Sequence, residues 1–211
     1  MIKKIIFDVD DTLIMNDKNS IKDYQKVLRK YGSSDSNEDA FELYKCIGDY
    51  EVSTHHFQKD TLLEFINNYF NKNYPLKFID DIIDIVSSWS YKASPELIDA
   101  LDYLSNKYEL DILTNWFIES QIKRLERAKI KDYFTEFIGS DKFVKPSKES
   151  FEYFFKDCNP NECMVIGDRF DIDIEIPLKL GMNAILYDVK NKYKEFNCVK
   201  ISNWNEIKNI L

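Results

Sequence analysis

The chain alternates between short, continuously apolar runs and longer stretches in which apolar residues recur every three or four positions. Ile5-Ile6-Phe7 is the first run, and it ends on acidic residues. Leu110-Asp111-Ile112-Leu113 ends at Thr114-Asn115, Cys163-Met164-Val165-Ile166 ends at Gly167-Asp168, and Ala184-Ile185-Leu186-Tyr187 ends at Asp188; Phe137-Ile138 is a shorter candidate. Such runs, bounded by polar residues, predict strands buried on both faces. Helical patterns lie between them. Ser94 reads as an N-cap with Pro95 in the first turn, followed by Leu97, Ile98, Leu101 and Leu104. Ile118, Ile122 and Leu125 mark another helix, and Ser147 opens one carrying Phe151, Phe154 and Phe155. A fourth runs from Asp171 to Leu180 and stops at Gly181, and a last covers about residues 202–210. Strands alternating with helices predict an α/β fold, a parallel sheet sandwiched by helices.

Residues 15–91 break the alternation and read as helices only: Ile21 to Leu28, Ala40 to Ile47, Ser53 to Phe70, and about 78–89, with a loop at Gly32-Ser33-Ser34-Asp35-Ser36-Asn37. The expected organisation is a core of residues 1–14 plus 92–211, interrupted after its first strand by a small all-helical subdomain of residues 15–91.

Composition narrows the classes of function. Hydrophobic residues make up 44% of the 211, enough for a packed core. The net charge of -8, without a basic stripe, argues against a nucleic-acid polymer as partner. No apolar run approaches the roughly 18 residues of a membrane span, and no secretory signal precedes the first strand. Cys46, Cys158, Cys163 and Cys198 form no C-x-x-C pair and are expected as reduced thiols of a cytoplasmic protein. The chain is expected as a monomer or a homodimer.

The chemistry concentrates at strand ends. Open parallel sheets bind ligands beyond the carboxyl ends of their strands, and there the chain carries Asp8, Asp10, Thr114, Asn115, Asp168 and, slightly further on, Asp173. Alternation along an extended chain puts Asp8 and Asp10 on one side. Carboxylates so close repel unless a proton or cation lies between them. An all-oxygen cluster suits a hard cation, Mg2+ in particular, which keeps waters and binds substrate phosphate. A carboxylate can also attack phosphorus to give an aspartyl-phosphate, while a second carboxyl protonates the leaving alkoxide and later deprotonates water. Thr114, the backbone N–H of Asn115 and a lysine could donate to the phosphoryl oxygens.

These residues resemble the haloacid dehalogenase (HAD) superfamily, whose four motifs occur here in order. They are Asp8-Val9-Asp10-Asp11-Thr12 after an apolar strand, Thr114 at a strand end, Lys145-Pro146, and Gly167-Asp168 followed by Asp173 before Ile174. The resemblance implies a Rossmann-like core and assigns roles. Asp8 is the nucleophile and a metal ligand. Asp10 is the general acid/base and binds metal through its main-chain carbonyl, and Thr12 helps to orient it. Thr114, Asn115 and Lys145 hold the phosphoryl group, and Asp168 and Asp173 complete the Mg2+ site. Residues 15–91 become a cap that closes over the site. Thr114-Asn115-Trp116-Phe117, with Gln121, Arg124 and Leu125, is similar to the branch containing house-cleaning nucleotidases, though Trp116 stands where that branch typically has glycine. Arg169 stands where serine is frequent.

The function so implied is a Mg-dependent phosphomonoester hydrolase acting on a small phosphorylated metabolite, such as a nucleotide or sugar phosphate. A 2-haloacid dehalogenase and a phosphomutase are alternatives on the same fold. A non-catalytic phosphate-binding or interaction protein is an alternative from another class. Asp10 counts against the dehalogenase, whose relatives lack that second acid. Other polar residues have plainer readings: Asp171 as a cap, Asp11 as solvated, and His55 and His56 as first-turn surface residues after an N-cap at Ser53. Phe41, Tyr44, Phe57, Phe65, Tyr69 and Phe70 recur at helical spacing and read as core of the helical segment.

Overall fold

The computed structural model describes residues 1–15, 20–54, 57–89 and 91–211. In chain order the regular elements are β1 (Lys4–Phe7), α1 (Ser20–Lys30), α2 (Asn37–Thr54), α3 (Lys59–Phe70), α4 (Lys77–Ser88), α5 (Pro95–Ser105), β2 (Glu109–Leu113), α6 (Ile118–Arg127), β3 (Glu136–Ile138), α7 (Lys148–Glu152), β4 (Cys163–Gly167), α8 (Glu175–Lys179), β5 (Asn183–Tyr187) and β6 (Val199–Ile201). The six strands form one sheet in the order β3-β2-β1-β4-β5-β6, and every pairing is parallel.

Two-residue alternation sends successive side chains of each strand to opposite faces. Ile5 and Phe7 of β1 join Leu110, Ile112 and Ile166 under Leu97, Leu101 and Leu104 of α5 and Leu125 of α6. Ile6 faces the other way, with Leu113 and Val165 against Phe151 and Phe154. Both faces of the sheet are therefore covered by helices, and every residue of β1 and β4 is buried. Ser94 caps α5 by accepting from Leu97 N, with Pro95 in the first turn, and Ser147 caps α7 by accepting from Ser150 N.

Between β1 and α5 the described residues form helices only, α1 to α4, which share a separate core that includes Leu43, Tyr50, Leu62, Ile66, Phe78 and Ile82. Trp116 and Phe117, from the loop after β2, insert into that core and join it to the sheet. A buried hydrogen bond of 3.0 Å from Ser87 Oγ to Ser120 Oγ ties α4 to α6.

Several elements differ from the sequence expectation. β6 was not expected, because Val199-Lys200-Ile201 is an edge strand of only three residues. α2 runs on to Thr54, so Ser53 lies in its last turn and donates to Tyr50 O instead of capping a following helix. His55 and His56 lie outside the described residues. The helix expected from Asp171 splits into a π-helical turn, Phe170–Ile174, and the short α8, and the C-terminal segment is a 3-10 turn, Trp204–Asn209. The four thiols are not all free either. Cys158 and Cys163 pair across the turn leading into β4, leaving Cys46 and Cys198 free.

Candidate active site

The carboxyl ends of β1, β2 and β4 open onto a crevice of about 800 Å³, which α2 bounds on the opposite side. The chain leaves β1 through a tight loop. Asp8 N still donates to Ile166 O of β4 at 2.9 Å, and Leu13 N and Ile14 N both donate to Val9 O, at 3.0 and 2.9 Å. Asp11 takes φ 57°, a left-handed conformation that aspartate tolerates better than most residues. This loop faces Asp8 and Asp10 into the crevice.

Asp8 is buried, and its Oδ1 accepts from Lys145 Nζ at 2.7 Å. The same ammonium donates to Asp173 Oδ1 at 2.6 Å. Lys145 is 2% exposed, so it is a buried cation clamped between two buried carboxylates. The neighbouring lysines point elsewhere: Lys142 Nζ lies 3.9 Å from the centre of the Tyr153 ring, and Lys148 pairs with Glu152. The loop carrying Lys145 is held by Asn115, whose side chain donates to Lys145 O and accepts from Lys145 N, both at 2.8 Å. Lys145-Pro146 is a cis peptide.

Oxygens of Asp8, Asp168 and Asp173 lie within 4.8 Å of one another, the one such cluster among the described residues. The π-helical turn folds Asp173 back against the end of β4, where its Oδ2 accepts from Arg169 N at 3.0 Å. Gly167 permits this approach: a Cβ there would lie 2.4 Å from Asp173 Cγ. Burial, followed by the charges of Asp8 and Asp173, pushes the Asp168 carboxyl up to about 8. Burial also raises Asp8, although Lys145 pulls it back. One ammonium does not neutralise three neighbouring carboxylates. The shortfall of positive charge, in an all-oxygen set, fits a hard divalent cation.

Asp10 turns away from this cluster. Gln121 Nε2 donates to its Oδ2 and Arg124 Nη1 to its Oδ1, each at 2.6 Å. Arg124 Nη1 also donates to Gln121 Oε1 at 2.8 Å, and Gln121 Nε2 donates to Thr114 Oγ1 at 3.0 Å. Two residues one helical turn apart on α6 thus hold both Asp10 oxygens and fix Gln121 against Thr114. Thr12 Oγ1, expected to help orient Asp10, is buried without a hydrogen-bond partner, and the side-chain hydrogen bonds to Asp10 come from Gln121 and Arg124. Glu51 of α2 reaches the floor of the crevice, with Asn115 Nδ2 donating to its Oε1 at 3.3 Å.

Residues 5–187 match the haloacid dehalogenase-like hydrolase family. The chain belongs to that family. As a HAD-like hydrolase it is an enzyme, and its relatives include named phosphatases. It is 28% identical over 196 residues to a glyceraldehyde 3-phosphate phosphatase from Methanothermobacter thermautotrophicus, covering 88% of this chain and 85% of that one. It is 27% identical over 194 residues to the pyrimidine 5'-nucleotidase YjjG from Escherichia coli, covering 84% and 82%. Among solved structures, the HAD-hydrolase YfnB from Bacillus subtilis bound to magnesium superposes with a TM-score of 0.80 at 18% identity, over 100% of this chain and 98% of that one. In this HAD-like hydrolase the structure brings Asp8, Asp10, Thr114, Asn115, Lys145, Asp168 and Asp173 to one end of the sheet. Sequence reasoning missed what Gln121, Arg124 and Glu51 do there. Gln121 and Arg124 had a signal, since polar residues three apart sit among the apolar positions of α6; Glu51 had none, because only folding brings α2 over the sheet.

Proposed function

We propose that the enzyme is a Mg2+-dependent phosphomonoester hydrolase of the cytoplasm that acts through an aspartyl-phosphate on Asp8, with residues 15–91 as a cap over the crevice. The observation that carries this reading is the disposition of two carboxylates two residues apart: Asp8 lies against a buried lysine, and Asp10 is held apart by Gln121 and Arg124. The named relatives support the substrate class, since each acts on a small phosphorylated molecule by its name.

Asp8 attacks phosphorus. The bond to the ester oxygen breaks, and that oxygen takes a proton from the Asp10 carboxyl as it leaves. Asp10, now ionised, removes a proton from a water that attacks the aspartyl-phosphate, releasing inorganic phosphate and restoring Asp8. Thr114 Oγ, the Asn115 backbone N–H and Lys145 Nζ donate to the phosphoryl oxygens, where preorganised donors act most strongly. Asp8, Asp168 and Asp173, with the main-chain carbonyl of Asp10, are the residues that would hold Mg2+, whose charge offsets repulsion between Asp8 and an anionic substrate. Asp10 favours hydrolysis over dehalogenation, because replacing a halide needs no proton donor for the leaving group.

The test is release of phosphate from a panel of phosphomonoesters with Mg2+, with and without EDTA, by the native enzyme and by Asp8→Asn. Turnover that needs the metal and vanishes in the variant is expected. An undiminished kcat in Asp8→Asn rejects the nucleophile, and activity surviving EDTA rejects the metal.

A further inference from the structure

α2 carries two faces. Ala40, Leu43, Cys46, Ile47 and Tyr50 are buried, all but Ile47 almost completely, and pack the core of the helical layer. Phe41, Tyr44, Gly48 and Val52 follow one another at helical spacing on a second face that lines the crevice. Their side chains are not packed away: Phe41 is 54% exposed, Tyr44 49% and Val52 62%. Gly48 sits in the middle of an 18-residue helix, where glycine is the least favourable residue apart from proline. Neither packing nor backbone conformation demands it, because a Cβ there would meet nothing within 4 Å and its φ is not positive. What the absent side chain leaves is room inside the crevice.

The helix also supplies a ruler. Glu51 touches Asn115 beside the Lys145 loop, at the phosphate end. At about 1.5 Å per residue, Gly48 stands one turn above it and Tyr44 about 10 Å above it. Tyr44 is braced from behind, with its ring 6.3 Å from that of Tyr24, which meets Trp89 edge-on at 6.1 Å. The Phe41 ring lies 6.4 Å further along. An acceptor, a gap and a braced aromatic shelf therefore succeed one another away from Asp8.

We infer that this face of α2 selects the leaving group, and that it takes monoesters whose leaving group ends in a flat ring. The phosphate lies at Asp8, a hydroxylated spacer passes Gly48 with a hydroxyl donating to Glu51, and the ring rests on Tyr44 and Phe41. A three-carbon ester ends short of the shelf. The inference rests on the phosphatase reading.

The experiment compares a nucleoside 5′-monophosphate with ribose 5-phosphate, which is the same ester without the ring, in Mg2+ buffer. The native enzyme should prefer the nucleotide in kcat/KM by about tenfold or more, which lies within what stacking on an aromatic side chain contributes. Gly48→Leu fills the gap and Tyr44→Ala removes the shelf. Each should reduce that preference by about tenfold, through KM for the nucleotide, with its kcat kept within about threefold. Gly48→Leu should also melt no lower than the native enzyme, because leucine favours a helix interior over glycine, so a loss of fold is not the cause. An equal rate on both esters in the native enzyme, or a preference untouched in both variants, overturns the inference and leaves the phosphatase reading standing. Release of phosphate from neither ester nor any other monoester removes that reading, and the inference with it.

Discussion

Lys145→Met is the substitution that most directly tests the electrostatics of the site, because it needs no substrate. The methionine fills similar space but removes the one cation that lies between Asp8 and Asp173, at 2.7 and 2.6 Å. Lys145 is 2% exposed and Asp173 1%, so water cannot replace it. Removing one partner of such a buried pair costs about 3–5 kcal/mol. In a chain of this size 1 kcal/mol moves Tm by about 2–4 °C, so metal-free Lys145→Met should melt about 6–20 °C below the native protein at pH 8. The deficit should shrink on acidification. Burial raises the Asp8 carboxyl and only Lys145 pulls it back, so without Lys145 the folded state holds a proton that the unfolded state has released above about pH 4, and stability falls as pH rises. Toward pH 5 Asp8 takes up that proton in the folded state and less is lost. The native metal-free protein follows the same direction more weakly, since Asp168 is already pushed up to about 8. Mg2+ should therefore raise Tm more at pH 8 than at pH 6. The assay is thermal denaturation followed by circular dichroism in EDTA and in Mg2+ at pH 5, 6 and 8. A variant that melts with the native protein, or whose deficit is the same at pH 5 and pH 8, refutes the reasoning.

Asp10→Asn should lower kcat by about 10²–10⁴, the usual contribution of a general acid/base. On p-nitrophenyl phosphate, whose leaving group needs no proton, it should release one equivalent of nitrophenolate per site in a burst and then stall at hydrolysis of the phosphoenzyme; Arg124→Met, which frees the Asp10 carboxylate from its ion pair, should show the same burst with a smaller loss. Loss without a burst in stopped-flow records would assign Asp10 another role. Gly167→Ala must displace Asp173, because the new Cβ would lie 2.4 Å from its Cγ. It should weaken Mg2+ binding by about 10–100-fold, measurable by calorimetry, and unchanged affinity would remove Asp173 from the metal site.

The parallel sheet was legible because β1, β4 and β5 carry continuous apolar runs that end on polar residues, and β2 departs from that pattern inside its run only at Asp111. β6 was not: its three residues alternate at an edge where only Ile201 is buried. The π-helical turn also left no pattern, since Asp171, Ile172 and Asp173 look like an ordinary first turn, and only the missing Cβ of Gly167 makes room for the alternative. The strand-end acids were legible because their type and place coincide. The holders of Asp10 were legible only in part: Gln121 and Arg124 stand among the apolar positions of α6, but a buried arginine there reads as a surface charge until its partner, 114 residues away, is seen. The aromatic residues of the helical layer divide. Phe57 is buried, and Phe65 and Phe70 pack against the core as expected, whereas Phe41 and Tyr44 face the crevice, because α2 is apolar on two sides and spacing alone does not say which side is covered.

The central place of β1 shapes the order of assembly. Of the six strands described it is made first, yet its two neighbours begin only at Glu109 and Cys163. At about 5–20 residues per second, a growing chain waits about 8–30 s before both edges of β1 are paired. During that interval an apolar strand with open edges is an invitation to aggregate. Its apolar run is flanked by Lys3 and Lys4 on one side and by Asp8, Asp10 and Asp11 on the other, the charged gatekeepers that discourage strand addition. The strand-end carboxylates that line the crevice in the finished enzyme thus serve earlier in its life, guarding the nascent strand until the rest of the sheet arrives.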